Sequence, residues 1–227
     1  MDLTKDKIFN LFQKIAIPAS IGTLFQTMYN IVDTYFAGKI SPEALSALAK
    51  SFPIFFIIIA TGIGLGAAST VLMANNIGEG NKNQASFYLA QAITFSIFIA
   101  LIVTITGLII SVPLLELMGS SKENIILTLE YLNVIFIGSI IIFIQFAINS
   151  SLTAQGDTKS YRNVLIISFF LNIILNPIFI FGYGIIPAMG ISGIALSTIL
   201  SQLLGTIYLF YKVYKTELKE YLYFKYF

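Results

Sequence analysis

The chain alternates long apolar stretches with short polar connections. Between consecutive charged residues it has four long charge-free runs, of 28, 33, 26 and 49 residues, at 51–78, 83–115, 131–156 and 163–211. Each run exceeds the roughly 20 residues that a helix needs to cross a hydrocarbon core of about 30 Å. The longest run suits two helices, because Gly182, Gly184, Pro187 and Gly190 interrupt it near its middle. The pattern therefore predicts helices that span a membrane.

The predicted fold is all-α, a polytopic transmembrane helical bundle of six spans within residues 1–210. The spans are predicted at about 15–37, 45–74, 84–112, 125–150, 163–182 and 191–211. The first of them contains a single charged residue, Asp33. Residues 211–227 mix Lys, Glu and aromatic side chains, a pattern typical of an amphipathic segment at a membrane surface. We interpret this last segment as a linker that is cut short.

The basic residues indicate how the spans are oriented. With six spans, both termini lie on the same side of the membrane. That side holds ten of the 13 Lys and Arg residues, and the other side holds only Lys39, Lys50 and Lys122. Because cytoplasmic segments collect Lys and Arg, we expect both termini to face the cytoplasm, in a multi-pass protein of the plasma membrane.

The composition removes most enzyme classes. The chain is 57% hydrophobic and 11% charged, whereas soluble domains are about a quarter charged. The absence of Cys excludes disulfides and thiolate nucleophiles, and the absence of His excludes Ser–His triads and the common zinc motifs. A net charge of +2 gives little attraction for nucleic acid. We therefore expect a protein that is not an enzyme, binds no metal or nucleic acid, and has the lipid bilayer as its first partner.

Polar side chains inside the spans are the candidate functional residues, because each costs free energy in lipid. In the first span Thr23, Gln26, Asn30 and Asp33 share one helix face. Asp33 lies about 18 residues, or about 27 Å of helix, from the inner end of this span. A carboxyl group there can snorkel to external water, or it can take up a proton from outside and release it when its surroundings change. We favour the second interpretation, a coupling-ion site.

The fifth span repeats this polar pattern with Ser168, Asn172 and Asn176, spaced four residues apart, and then Pro177. Proline removes a helix hydrogen bond and usually bends the helix, so the freed carbonyl can line a cavity. The two asparagines lie about 14 to 20 Å from the inner end of their span, which reaches the outer half of the membrane, where Asn30 and Asp33 are also expected. We therefore predict that they belong to the same site.

Further candidates for this polar region are Asn149 in the fourth span, and Thr198 and Gln202 in the sixth. For these residues, and also for Asn172 and Asn176, the alternative role is hydrogen bonding that holds neighbouring helices together, which contributes about 0.6 to 2 kcal/mol for each residue. The sequence leaves both roles open.

Several motifs together resemble one transporter family. They are Pro18 in the first span, Tyr-Asn-Ile-Val-Asp-Thr-Tyr-Phe-Ala-Gly at 29–38, Gly-Glu-Gly-Asn-Lys at 78–82, Gln-Gly-Asp-Thr-Lys at 155–159, and Leu-Asn-Ile-Ile-Leu-Asn-Pro at 171–177. This set resembles the multidrug and toxic compound extrusion (MATE) family of cation-coupled efflux transporters. Members usually have twelve helices, in two six-helix lobes joined by a cytoplasmic linker. The resemblance covers nearly the whole chain and implies an N-terminal lobe that ends within the interlobe linker.

The resemblance also implies a function and roles for residues. It implies an antiporter that exports small, cationic, amphipathic compounds, with H⁺ or Na⁺ as coupling ion and no other cofactor. Asp33 matches the acid whose protonation is linked to drug release, Asn172 a polar partner of that acid, and Pro18 the position near which the first helix bends. Members often have a second acid where this chain has Asn176, so a paired-acid site is not expected. The implied partner is a C-terminal six-helix lobe or a second copy of this chain.

Two rival functions fit the residues less well. A lipid-linked oligosaccharide flippase of the same superfamily needs basic residues in its cavity for a pyrophosphate, and the spans have none well inside, Lys50 being the nearest. An intramembrane aspartyl protease needs two facing Asp residues. Asp157, the apparent partner of Asp33, is predicted in a cytoplasmic loop about 25 Å away.

The predicted orientation can be tested with reporter fusions. A reporter fused after residue 227 is expected to be active only in the cytoplasm, and one inserted in the 116–124 loop only outside, because the charge distribution places these segments on opposite sides. Activity of both fusions on the same side would rule out the predicted topology.

Overall fold

The architecture is helical, as the sequence predicts. The computed structural model describes residues 8–221, without the side chains of Leu11, Lys14, Glu220 and Tyr221. Within this range the helices are α1 (Ile8–Ile40), α2 (Pro42–Gly78), α3 (Lys82–Leu117), α4 (Lys122–Ala154), α5 (Lys159–Phe181) and α6 (Ile191–Tyr214), followed by a 3₁₀ helix at Glu217–Tyr221. Each of the six α-helices is long and apolar enough to cross a membrane. The all-α, six-span prediction is confirmed.

Most helices extend several residues beyond the predicted spans. The spans were placed on apolar runs, whereas the helix caps lie in the polar connections. Ser41 accepts a hydrogen bond from the backbone N–H of Ala44 at 3.1 Å, and Asn81 and Ser121 cap α3 and α4 in the same way. Such caps satisfy backbone donors that would otherwise lack partners. The charged first turns therefore belong to the helices, outside the hydrocarbon core.

The connection between α5 and α6 lies where the sequence predicts a break. Gly182, Gly184 and Gly190 all have positive φ, at 80°, 60° and 56°, a conformation that glycine adopts without strain. Within the loop Tyr183 and Ile186 form an isolated β-bridge, the only one in the described part of the chain. Two further hydrogen bonds, from Met189 N to Phe179 O (2.9 Å) and from Gly190 N to Ile180 O (3.2 Å), tie the loop back onto the end of α5.

Helix α4 lies at the centre of the bundle. It contacts α2, α3 and α6, while α1 packs mainly on α5 and α5 packs on α6. Near its start, Leu132, Ile135 and Phe136 belong to one buried apolar cluster, and near its end Ile148 and Leu152 belong to a second. Both apolar cores are therefore built around the same helix.

Hydroxyl groups from the surrounding helices donate hydrogen bonds to backbone carbonyls of α4. Ser96 donates to Phe143 O at 3.3 Å, Thr104 to Phe136 O at 2.7 Å, and Thr70 to Ser150 O at 3.4 Å. Lipid offers no hydrophobic driving force between helices, so such bonds and close packing stabilise their association.

Small residues allow the closest helix contacts. A Cβ atom on Gly62 of α2 would lie 2.4 Å from the ring of Phe146, and one on Gly193 of α6 would lie 2.7 Å from the backbone of Phe179 in α5. A ring can turn aside, but the backbone cannot move without shifting a helix. Gly193 therefore determines how closely α5 and α6 approach each other. The contact lies near the helix ends that the predicted topology places on the outer side of the membrane.

The importance of this contact can be tested by substitution. We expect Gly193→Ala to lower the free energy of unfolding by about 1–3 kcal/mol, because the added methyl group overpacks the α5–α6 contact. The matched control is Gly64→Ala, where no atom outside the surrounding helix backbone lies within 4 Å of the added Cβ. That change is expected to leave stability unchanged or to raise it by up to about 1 kcal/mol. Unfolding in detergent, followed by circular dichroism, measures both, and equal effects would contradict the prediction.

Candidate functional site

The site is built around Asp33, a carboxylate in the interior of the helical bundle. Asp33 lies on α1 on the face that packs towards α5 and α6, and its side chain is only 7% exposed. Its Oδ1 accepts hydrogen bonds from Asn172 Nδ2 and Asn176 Nδ2, both at 2.9 Å, and its Oδ2 accepts one of 3.4 Å from Thr198 Oγ1. The structure therefore brings four of the predicted residues together.

The spacing of the donors along their helices explains this geometry. Asn172 and Asn176 are one turn apart on α5, so both side chains leave the same face of the helix. Asn176 Nδ2 also donates to Asn172 Oδ1 at 3.0 Å, which fixes the orientation of both amides. Both asparagines are fully buried, and Thr198 is nearly so.

Asp33 is placed between two opposing electrostatic effects. Burial disfavours a charged carboxylate, whereas hydrogen-bond donors favour it. Two buried oxygen atoms nearby, Tyr29 Oη and Asn176 Oδ1, have no hydrogen-bond partner in the described part of the chain. Tyr29 lies one helical turn before Asp33 on α1. The site thus combines an acid with spare polar groups, a combination that permits a proton or a small cation to be exchanged.

A cavity of about 470 Å³ opens beside Asp33. Helices α1, α2, α4, α5 and α6 all contribute to its walls. The aromatic lining residues are Tyr29, Phe52, Phe55, Phe56, Tyr131, Phe146 and Tyr161, and the polar ones are Thr23, Gln26, Asn30, Asp33, Thr34, Ser51, Gln145, Thr198 and Gln202. Asp33 is the only charged residue among them. The cavity is therefore apolar and aromatic, with a single acid in its wall.

The remaining predicted residues have different positions. Gln26, Asn30 and Gln202 line the cavity, but none of them hydrogen-bonds to Asp33. Asn149 is not among the lining residues, and its Oδ1 is buried without a hydrogen-bond partner. Asn149 therefore lies apart from the site. Ser168 does so as well, because it is absent from the lining and donates to the backbone carbonyl of Ser201 at 3.5 Å.

The two prolines lie where the sequence places them. Pro18 is inside α1 and Pro177 is inside α5, and both helices continue through them. Pro177 has no N–H group, so the carbonyl of Ile173 lacks its usual helix donor, one turn before the proline. This carbonyl lies between Asn172 and Asn176 in the sequence. Bending at either proline stays a prediction.

Sequence reasoning missed one amide of the cavity wall, Gln145. Its Nε2 donates to the backbone carbonyl of Gln202 at 3.0 Å. A Cβ atom on Gly205 would lie 2.8 Å from the same nitrogen, so the absence of a side chain there leaves room for the amide. Gln145 sits in the middle of an apolar span, and that signal could have identified it. Tyr29, Tyr131 and Tyr161 gave no such signal, because tyrosine is common in apolar segments.

Asp157 has a local structural role. Its Oδ1 accepts a hydrogen bond of 3.0 Å from Ser160 N, and its Oδ2 accepts one of 2.6 Å from Ser160 Oγ. A carboxylate in this position stabilises the start of a helix, here α5. Asp157 makes no contact with Asp33, so the paired aspartates of a protease are not formed.

The hydrogen bonds to Asp33 can be measured by a double-mutant cycle. Asn172→Ala is expected to cost about 1.5–3 kcal/mol more when Asp33 is present than in an Asp33→Asn background, because only a carboxylate loses a charged hydrogen bond. Asn149→Ala serves as control and should cost the same in both backgrounds. Unfolding of the four variants in detergent gives the coupling energy, and a value near zero would contradict the assigned interaction.

Comparison with known proteins identifies the lobe. The family model described as MatE matches residues 18–178. The "FAD transporter" of Shewanella oneidensis is 30% identical over 191 residues, which cover 84% of this chain and 42% of that protein. The "Multidrug export protein MepA" of Staphylococcus aureus is 27% identical over 205 residues, covering 90% of this chain and 46% of that protein.

Solved structures give the same result. A structure described as the outward-facing conformation of a multidrug resistance MATE family transporter of the MOP superfamily superposes with a TM-score of 0.81 at 31% identity. The match covers 90% of this chain and 45% of that chain. The chain therefore spans about half the length of the relatives it matches, and it corresponds to one of their lobes. It is a multi-pass membrane protein of a family of transporters, not of enzymes. The family match covers residues 18–178, which include Pro18 and Asn176. The chain therefore belongs to the MATE family.

Proposed function

We propose that this chain is the N-terminal lobe of a cation-coupled antiporter that exports cationic, amphipathic compounds, with Asp33 as the coupling acid. The observation that carries the proposal is the Asp33 carboxylate itself. It is buried, held by three hydrogen-bond donors from α5 and α6, and open on one side to an aromatic cavity. An ionisable residue inside a membrane protein is costly, so its presence indicates function more often than packing.

The coupling follows from which helices the hydrogen bonds join. Among the described residues, the three hydrogen bonds to the Asp33 carboxylate all come from α5 or α6 to α1. A charged Asp33 accepts all three, whereas a protonated Asp33 has a hydroxyl group that must itself find an acceptor. Asn176 Oδ1 is a buried acceptor without a partner. Protonation therefore changes how α1 is held against α5 and α6, and with it the shape of the cavity that these helices line.

Sodium fits the same atoms as an alternative coupling ion. Hard cations prefer oxygen ligands. The Thr198 hydroxyl oxygen lies 3.4 Å from the Asp33 carboxylate, Tyr29 lines the same cavity, and Asn176 has a buried amide oxygen without a partner among the described residues. Either ion would neutralise the carboxylate, and the proposed coupling needs only that neutralisation.

The lining of the cavity favours cationic cargo. Asp33 attracts a positive charge, and aromatic faces such as Phe52, Phe56 and Tyr131 bind both apolar surface and cations. The lining contains no Lys or Arg, so a lipid-linked pyrophosphate would find no counter-charge there. The FAD of the Shewanella relative also carries phosphate groups, and nothing in this lining would neutralise them. An oligosaccharide flippase is therefore the weaker candidate.

The proposed transporter needs a second half. A cavity that opens alternately to each side of the membrane lies between two lobes, and one lobe alone would expose its inner face to lipid. We propose that a C-terminal six-helix lobe, or a second copy of this chain, completes the transporter. Both termini of this lobe would face the cytoplasm of a cell whose plasma membrane it spans.

The proposal is tested by Asp33→Asn in the two-lobed transporter assembled from this chain and its second lobe. The variant is expected to insert and fold, because an amide is less costly in lipid than a carboxylate, and to lose gradient-driven efflux. Asn172→Ala and Asn176→Ala should weaken efflux less completely, since each removes one donor and leaves the acid in place.

Efflux of a cationic dye from membrane vesicles, driven by a proton or sodium gradient, is the measurement. Asp157→Asn is the matched control, because it makes the same chemical change at an aspartate outside the site and keeps a capping oxygen. Full gradient-dependent efflux by Asp33→Asn would show that the carboxylate does not couple transport.

A further inference from the structure

The end of α6 presents tyrosine and lysine side chains in register. Three lysines each place the ammonium nitrogen over the ring of a tyrosine about one turn earlier. The distances from nitrogen to ring centroid are 5.5 Å for Lys212 over Tyr208, 4.3 Å for Lys215 over Tyr211 and 5.7 Å for Lys219 over Tyr214. We call these six residues the tyrosine–lysine face. A ring face orients an ammonium group but leaves its charge in place.

The tyrosine–lysine face lies where the chain leaves the hydrocarbon core. Lys212 is the first charged residue after the 49-residue charge-free run. Tyr211 and Tyr214 are 52% and 54% exposed. Tyrosine is enriched at the level of lipid headgroups, where its ring contacts the acyl boundary and its hydroxyl group contacts water. The position therefore brings the three lysines to the level of the lipid phosphates.

The chain beyond α6 is fixed to the lobe. Leu218 in the 3₁₀ helix is only 2% exposed and belongs to the apolar cluster that includes Met73, Leu89 and Val213. Lys82, at the start of α3, forms a salt bridge with Glu217. Leu218 lies between Glu217 and Lys219 in the sequence. Because Leu218 is buried, its two neighbours are held against the lobe. The tyrosine–lysine face is thus a formed surface and includes a residue from beyond the end of α6.

Among the described residues, no carboxylate pairs with the lysines of this surface. Glu217 is the one acid after α6 whose side chain the structure describes, and it is paired with Lys82. Among the residues described, Lys212, Lys215 and Lys219 contact tyrosine rings but no carboxylate. Three ammonium groups at headgroup level, with no carboxylate partner among the described residues, form a positive surface that attracts anions.

We propose that the tyrosine–lysine face binds the phosphate groups of anionic phospholipids. Lysines near a membrane surface attract anionic headgroups, and several together act additively. The tyrosine rings reduce the conformational freedom of the lysines before the lipid arrives, which strengthens binding. This surface depends on membrane insertion only, so it holds whether or not the lobe transports cations.

The experiment is native mass spectrometry of the purified chain titrated with phosphatidylglycerol or phosphatidylcholine. The wild type is expected to bind phosphatidylglycerol more tightly. Replacing Lys212, Lys215 and Lys219 together by Gln should weaken that binding by about fivefold for each lysine removed. The change should leave phosphatidylcholine binding as it is.

Two further variants control for charge and folding. Replacing Lys50 and Lys122 by Gln removes charge at the other end of the helices and should leave phosphatidylglycerol binding unchanged. Lys39 is kept in this variant, because it lies over the ring of Tyr35, 5.4 Å from the centroid, in the same arrangement as the lysines under test. Replacing Lys212, Lys215 and Lys219 by Arg keeps the charges and should retain binding. Equal loss in the two Gln variants, loss in the Arg variant, or no preference of the wild type for phosphatidylglycerol would overturn the proposal.

The contribution of the rings is separated by changing the tyrosines alone. Tyr208, Tyr211 and Tyr214 replaced by Phe keep an aromatic face for each lysine, so binding should be retained. The same positions replaced by Leu keep apolar contact but lose the ring, and binding should weaken. Equal binding by the Phe and Leu variants would contradict the role given to the rings.

Discussion

Burying the Asp33 carboxylate in a bundle surrounded by lipid requires hydrogen-bond donors from other helices, and this requirement connects α1 to the rest of the lobe. The donors are held on α5 and α6, and these two helices keep their spacing because Gly193 packs against the backbone at Phe179. Helix α6 in turn packs on α4, around which both apolar cores form. The polar site therefore rests on an apolar framework that extends across the whole lobe.

The sequence predicts the architecture well, because the physics of a bilayer leaves few choices. Charge-free runs of sufficient length must be helices, and Gly182, Gly184 and Gly190 mark the one place where a run must break. The helix ends are less well predicted, since caps such as Ser41 and Asn81 extend each helix into the polar connections. The pattern of apolar residues does not indicate how far a helix continues beyond the hydrocarbon core.

The site is predicted only as far as polar residues stand out from an apolar background. Asp33, Asn172 and Asn176 share faces that the 3.6-residue period reveals, and the structure brings them together. From the sequence alone, Thr198 could equally have been a residue that only holds helices together, because the sequence does not show which side chain its hydroxyl group contacts. The position of Asn149 away from the cavity depends on the rotation of α4, which only tertiary packing determines. The position of Gln145 in the cavity wall also depends on tertiary packing, because its amide occupies the space that Gly205 leaves free.

For the proposed coupling, the close contact between α5 and α6 determines how the site would be restored after Asp33 has moved away. The loop at 182–190 is hydrogen-bonded back onto the end of α5, and Gly193 lies against that same turn. Asn172, Asn176 and Thr198 are therefore carried by two helices that are fixed to each other without α1, and the two asparagines are joined by their own hydrogen bond. Together they form a preorganised receptor for Asp33. If α1 withdraws, the receptor remains assembled, and the return of Asp33 is a docking event that needs no refolding of its partners.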